Sequence, residues 1–330
     1  MRLNRFRRSV LIVGATLVAG VLSPIIANAQ HDYPNRSLRW IVGFSAGGGS
    51  DFLARTVGNA LSEELGQPIV IENRPGAGAM IGAQTAARAP ADGYTLWSGD
   101  MATLVFNPKL RKDVPYSVSD FKPVGQMARF NLVLVASADA PFSTLPEAVD
   151  LIRKNPGKFS YASVGSGTNH HVVMELFKQA ADLDIVHIPY KGLAPSIQAI
   201  LGEQVELAPI DSASARAYIQ DKKVKPLAVT SSQRLADFPD IPTMKELGYD
   251  EVEMYAWQGL FVPAATPQLI VDKLATNLEK ALSREKVRQA LLDYGLELTY
   301  TSPKEFEEYL DQQIDFWGKV IDNANISIEN

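Results

Sequence analysis

The chain has no cysteine, and that single absence removes disulfides, thiolate metal sites and cysteine nucleophiles together. Histidine is scarce, with four in 330 residues, so imidazole chemistry has few places to reside. Basic charge is in deficit: 32 Lys plus Arg stand against 37 Asp plus Glu. Arg2, Arg5, Arg7 and Arg8 account for four of the 32, which leaves residues 30–330 with 28 basic against 37 acidic groups, a formal charge of −9. Nucleic-acid binding draws on counterion release by basic patches, so no nucleic-acid partner is expected. Beyond the N-terminus no apolar run approaches membrane-spanning length, and there is no internal repeat, low-complexity tract or Gly/Ser/Pro linker. What remains, 46% hydrophobic and 21% charged, describes a folded globular chain long enough for two domains.

The first 29 residues form a segment of their own. "MRLNRFRR" is basic, Val10 to Ala27 is almost wholly apolar, and "ANA" before Gln30 fits a small-x-small cleavage site. This reads as a signal peptide cut after Ala29, with Arg7-Arg8 leaving Sec or twin-arginine export open. The mature chain is then expected in the periplasm.

Apolar, β-rich runs alternate with helical patterns through the next two hundred residues. Strands are expected at Leu38–Phe44, Ile69–Glu72, Tyr94–Ser98, Asn131–Ala136, Phe159–Ser163, Val186–Pro189, Leu207–Ile210 and Pro226–Thr230. Helices are expected at Asp51–Leu65, Leu145–Asn155, His171–Ala181 and Pro195–Leu201. Such alternation implies α/β architecture with mostly parallel sheets. The last third turns helical: Thr266-Pro267 and Ser302-Pro303 mark helix starts, followed by Ile270, Leu274, Leu278 and Ala281, and by Phe306, Leu310, Ile314, Trp317 and Ile321 at core-facing spacing. Without a flexible linker, two domains require the chain to cross between them more than once. The candidate crossings are Asn131–Ala136 and Pro226–Trp257.

Two stretches carry the chemistry. In "IVGFSAGGGSDFLA" a strand runs into Gly47, Gly48 and Gly49 and opens a helix that Ser50 or Asp51 can cap. The same letters contain G-x-S-x-G (Gly43, Ser45, Gly47), the nucleophile elbow of a serine hydrolase. That elbow normally follows several strands, whereas Ser45 stands only 15 residues after the expected mature start, and the four histidines fall at the terminus (His31), in another glycine turn (His170, His171) and on a strand (His187). A nucleotide loop fits no better, because no lysine follows the glycines and G-x-G-x-x-G is not matched. A third reading is an anion held by backbone amides at a helix start. "YASVGSGTNHHVVMELF" repeats the design: Ser163 ends a strand, Gly165, Ser166, Gly167 and Thr168 make the turn, and a helix starts near His171. Two such turns can face each other across a cleft and share one anion.

At this point the chain resembles the Bug-type extracytoplasmic solute receptors of tripartite tricarboxylate transporters. The motifs, in order, are "FSAGGGSD", "LGQPIVIENRPGAGAMIGA", "ADGYTL", "YASVGSGTNHH", "HIPYKGLAP", "LAVTSSQR", "FPDIPTMKELGY" and "WQGLFVPAATP", and together they span the mature chain. The resemblance implies a type II periplasmic-binding-protein fold, two α/β domains joined by crossing hinge strands: residues 30–130 plus 253–330 as one domain and 131–252 as the other. It implies a non-enzymatic, cofactor-free monomer that takes a small carboxylate and passes it to inner-membrane transporter subunits. Carried over by motif, the ligand-binding residues are Phe44, Ser45, Ala46, Gly47, Gly48, Gly49, Ser50 and Asp51 in the first loop. The second loop supplies Ser163, Gly165, Ser166, Gly167, Thr168, His170 and His171, and Tyr190, Lys191, Gly192 and Asp211 join them. The chain departs from the family pattern at Val172, where a leucine is usual, and at His170, where a small or polar residue is usual; His170 is then either a specificity residue or a solvent-exposed one. Tyr190, Trp257 and His170 leave an aromatic dicarboxylate open. The alternative from another class is a secreted serine hydrolase using Ser45.

Overall fold

The structure, a computed structural model, describes residues 33–236, 238–324, 326 and 328. The expected signal segment lies outside them. The first half of the chain runs β1 (Leu38–Val42), α1 (Gly49–Leu65), β2 (Ile69–Asn73), α2 (Met80–Ala87), β3 (Thr95–Asp100), a π-helical turn at Ala102–Phe106, short α3 (Asn107–Leu110) and β4 (Phe121–Phe130). A second series follows: β5 (Leu132–Ser137), α4 (Leu145–Arg153), β6 (Phe159–Ser163), α5 (Asn169–Ala180), β7 (Ile185–Pro189), α6 (Leu193–Leu201), β8 (Leu207–Asp211), α7 (Ser212–Gln220) and β9 (Val224–Val229). The last part is β10 (Ala256–Pro263), α8 (Gln268–Ser283), α9 (Glu285–Asp293), β11 (Glu297–Thr301) and α10 (Pro303–Asn323).

These strands build two sheets, one ordered β11-β4-β10-β3-β1-β2 and the other β7-β6-β8-β5-β9. The chain leaves the first sheet between β4 and β5 and returns between β9 and β10. Both sheets are mixed rather than mostly parallel, and the crossings explain why. β1 is parallel to β2 and β3, and β6 to β7 and β8, so the carboxyl ends within each set point the same way. β5 and β10, the strands that receive the chain from the other sheet, begin at that end and run back, so each is antiparallel to both its neighbours. In open α/β sheets ligands bind outside the carboxyl ends of the strands, and here both sheets turn those ends to one cleft.

The elements follow from local chemistry. Trp40, Ile41 and Val42 of β1 are fully buried, as expected of a strand covered on both faces. In α1 Leu53, Ala54, Val57, Leu61 and Leu65 make the inward stripe, and Gly66 ends the helix in the left-handed region at φ 69°. α4 and α10 open on capping boxes, Thr144 with Glu147 and Ser302 with Glu305, each followed by a first-turn proline. In α10 Phe306, Leu310, Trp317 and Ile321 are buried while Ile314 is half-buried. One apolar cluster runs from Trp97 and Phe121 in the first sheet through Trp257, Phe306 and Trp317 to Val252 and Phe177 of the second unit, tying the two together away from the glycine turns. No helix among the described residues is long and apolar enough to cross a membrane.

β4, β10 and β11 were not anticipated. Pro123 and Gly125 make β4 read as a poor strand, yet it takes antiparallel partners on both sides. Three helices also begin two residues earlier than their patterns suggest: α1 at Gly49, α5 at Asn169 and α6 at Leu193. In each case the helix reaches back into the glycine turn.

Candidate functional site

The early starts matter because of where their amides go. In α1 Gly48 is the N-cap, so Ser50 and Asp51 sit inside the first turn and neither caps it. The Phe52 N–H is the first bonded within the helix, to Gly48 O at 3.0 Å, leaving those of Gly49, Ser50 and Asp51 without an intrahelical acceptor. In α5 the N-cap is Thr168, but its hydroxyl donates to Gly165 O (2.7 Å) and makes no cap bond. His171 and Val172 N–H both reach Thr168 O, which leaves Asn169 and His170 N–H free in the same sense. Two uncapped, positively polarised helix starts thus meet at one place.

Between them lies a cavity of about 50 Å³. A water needs roughly 10–15 Å³ of such space, so the volume suits a few waters or one small organic acid. Of the residues expected at the site, Phe44, Ser45, Gly48, Gly49 and Ser50 line it from the first unit, and Thr168, His170 and Asp211 from the second. His170 is 5% exposed, which settles it as a cavity residue, with Nε2 3.5 Å from Asp211 Oδ1. Gly49 admits no side chain, since a Cβ there would stand 2.9 Å from the Phe130 ring and 3.2 Å from Asp211 Oδ2.

Other expected residues hold the loops instead of lining this cavity. Asp51 accepts from Gly47 N–H (3.0 Å), Arg55 Nε (2.9 Å) and Asn73 Nδ2 (3.0 Å), while the same Asn73 amide donates to Phe44 O. Burial opposes ionisation of Asp51, but the Arg55, Gly47 and Asn73 hydrogen bonds outweigh it and hold the carboxyl below its ordinary range. His171 does the matching work in the second loop: its Nδ1 accepts from Gly167 N–H (3.2 Å) and its ring stacks on His187 at 4.3 Å. Burial first, then the Lys178 and Arg111 charges, push His171 down to about 4, which keeps the accepting nitrogen free. Gly167 has φ +82°, and a side chain there would overlap Asn107 Oδ1. Ser163 Oγ lies 2.6 Å from His187 Nε2 and accepts from Gly165 N–H. Ala46 and Gly47 are exposed.

Gly165, Ser166, Tyr190 and Lys191 line a neighbouring cavity of about 190 Å³, together with Phe44, Gly76–Ala79 and Arg111. Here the two units touch directly. Ser45 Oγ donates to Lys191 O (2.6 Å), Arg111 Nη2 donates to Ser166 O (3.0 Å), and Gly192 packs against Ser45. Ser45 therefore spends its proton on a carbonyl across the cleft. The geometry of a serine nucleophile, a hydroxyl bonded to an oriented histidine, is not what surrounds it.

Sequence reasoning missed Asp100, Phe130, Leu193, Ala256 and Gln258 as lining residues, had Trp257 only as a general aromatic, and took in Val164 and Asn169 only as part of the loop from Ser163 to His171. The signal that could have found several of them is position: Asp100 ends β3, Phe130 ends β4, and Ala256, Trp257 and Gln258 begin β10, all at the edge that faces the cleft.

The sequence and the fold match known proteins. Residues 53–326 match the model of the family described as "Tripartite tricarboxylate transporter family receptor". The chain belongs to this family. Protein BugT of Bordetella pertussis (strain Tohama I) is 32% identical over 317 residues, covering 95% of this chain and 96% of that one. The structure of periplasmic binding protein BugD superposes with a TM-score of 0.86 at 32% identity, over 90% of this chain and all of that one. R. palustris Rpa4515, solved with adipate, gives 0.86 at 30% identity, over 90% of this chain and 99% of that one. The receptor-family assignment makes this protein a periplasmic solute-binding component of a transport system and not an enzyme, and the hydrolase reading of Ser45 falls with it.

Proposed function

We propose that this receptor captures one small carboxylate in the cavity between the two units, with a carboxylate group on the free amides of Gly49, Ser50, Asn169 and His170. The supporting observation is that the starts of α1 and α5, one from each unit, bring first-turn N–H groups with no side-chain cap and no intrahelical acceptor to the same cavity. A buried carboxylate must replace its lost hydration with charge-assisted hydrogen bonds, and fixed amides supply these without adding charge. The related Rpa4515 was solved with adipate, itself a carboxylate.

In this reading residues 30–130 plus 253–330 form one domain and 131–252 the other, hinged at the two crossings. A ligand that touches both binds the closed form better and shifts the population towards it, and the closed form is what the inner-membrane transporter subunits recognise. The receptor works as a monomer, exported with its signal peptide removed after Ala29. Trp257 and His170 line the cavity and favour a flat ligand, while Tyr190 lies outside it.

The test is a thermal-shift screen of the protein, stripped of co-purified ligand by unfolding and refolding, against aliphatic, amino-acid, tricarboxylic and aromatic acids. A ligand at a hundred times its Kd stabilises the fold by about 2.7 kcal/mol. A selective, saturable shift without turnover is expected. Uniform silence would remove the carboxylate reading.

A further inference from the structure

The cavity holds unmet acceptors as well as unmet donors. Asp100 and Gln258 face each other as register partners on the adjacent strands β3 and β10, and they are 5% and 1% exposed. Asp100 Oδ1 accepts from the Thr103 N–H (2.8 Å) and hydroxyl (2.9 Å), but Oδ2 is buried with no hydrogen-bond partner. Gln258 Nε2 donates to Ser50 Oγ (3.0 Å), and its Oε1 is likewise buried and unpartnered. Both residues line the cavity that receives the two helix starts.

Asp211, the other carboxylate of the cavity, has the His170 ring beside it. Asp100 has no comparable companion. Burial raises its carboxyl to about 6, opposed only by hydrogen bonds from Thr103 and Ala102, with no cation contributing. A buried carboxylate with an unfilled lone pair is unfavourable unless a donor completes it. A plain dicarboxylate would make matters worse, since a group placed on Asp100 Oδ2 and Gln258 Oε1 has to donate, and a second anion there meets two acceptors and a like charge. A protonated amine has three donors and the opposite charge, and so meets the need of both atoms at once.

We propose that Asp100 is the counter-ion of a protonated amine on the ligand, with Gln258 Oε1 as a second acceptor, so that the cleft selects carboxylates bearing an ammonium group over plain acids of the same length. The assignment rests on the carboxylate-receptor reading above and adds to it the chemical class of ligand and the residues that choose it. Val164, Leu193 and Phe130 close the cavity with apolar surface, which excludes bulk water from the pair and strengthens it.

Matched pairs test this: calorimetry on the refolded full chain with L-aspartate against succinate, L-glutamate against glutarate, and 4-aminobutyrate against butyrate. In the native protein at least one amine-bearing acid is expected to bind tenfold or more tightly than its partner without nitrogen. Asp100→Asn keeps the side-chain shape and an acceptor for Thr103; it should remove that tenfold preference while leaving the amine-free acid unchanged or improved. Amine-free acids that bind as well as or better than their partners in the native protein would overturn the proposal and leave the carboxylate receptor standing. An equal loss for both members of a pair in Asp100→Asn would do the same, because it marks Asp100 as a support of the π-helical turn. Binding of no acid of either kind would remove both readings. The native-protein comparison decides the matter even if the variant does not fold, which a thermal melt reports.

Discussion

Most α-helices of this chain start without a side-chain cap, α8 and α9 among them, and among the described residues the α-helices that carry capping boxes are α4 and α10. α4 and α10, away from the cleft, start on Thr144 and Ser302, whose hydroxyls accept a first-turn N–H while Glu147 and Glu305 reach back. α1 and α5, at the cleft, start on glycine turns with no side-chain cap at all. A capping box satisfies the first amides of a helix and thereby removes them from use. Leaving them bare sacrifices local stability and keeps a fixed, oriented donor set for something else. The loops around the bare starts are then held from behind, by Asp51 in one and His171 in the other, so that the amides stay aimed while remaining free.

Four measurements sharpen or break that contrast. The largest effect is expected from Gly49→Val, which fills the space between Phe130 and Asp211: ligand affinity should fall at least 100-fold, about 2.7 kcal/mol, by calorimetry. An unchanged Kd would show that the α1 start is not used. Acid comes next. His171 stays neutral in the folded protein down to about pH 4, whereas the unfolded chain takes up that proton near 6.5. The unfolded state thus binds more protons between these values, and stability should fall by a few kcal/mol as pH drops from about 6.5 to 4, then level off for this group. His187, lowered by burial and then by the His171 ring to about 3, acts in the same direction and extends the loss. His171→Gln, which retains a neutral acceptor, should flatten the profile in a pH series of denaturant melts; an unaltered slope would assign it to other groups.

Asp51→Ala strips three donors of their shared acceptor and should cost about 2 kcal/mol of stability together with roughly a tenfold loss of affinity, a coupling that a mere structural cap would not show. The smallest effects belong to the capped starts. Thr144→Ala and Ser302→Ala should each lower stability by about 1 kcal/mol and leave the Kd for any ligand untouched. If either changed the affinity as Asp51→Ala does, the division between the two kinds of helix start would fail.

Parts of this were legible in the letters. Phe159–Ser163 is a strand over the residues expected, and Ser302-Pro303 opens α10 as read. Both are local patterns, an apolar β-rich run and a cap followed by proline, whose physics is complete within a few residues. β4 was illegible because Pro123 and Gly125 weigh against a strand in isolation and only the pairing with β10 and β11 overrides them. The glycine turns were visible, and so was the helix after each, but the starts were placed two residues late because a glycine or a bare polar residue reads as loop unless its amide has a use. Asp100 carried only the signal of its place at the end of β3, where an acid looks like an ordinary turn residue.

The sequence by itself determined that this chain is unstapled, acidic and built of alternating strands and helices, with two glycine turns at helix starts, because composition and short-range periodicity are sufficient for each of those statements. Only the tertiary structure decided which atoms meet. Asp51 and His171 stand behind the loops and not in the cavity, His170 is buried beside Asp211, Ser45 bonds to a carbonyl of the other unit, and Asp100 and Gln258 share an edge although 158 positions separate them. The reason is that the cleft lies at strand ends brought together by two chain crossings, and contact there is set by sheet order and strand direction, which no local run of residues encodes.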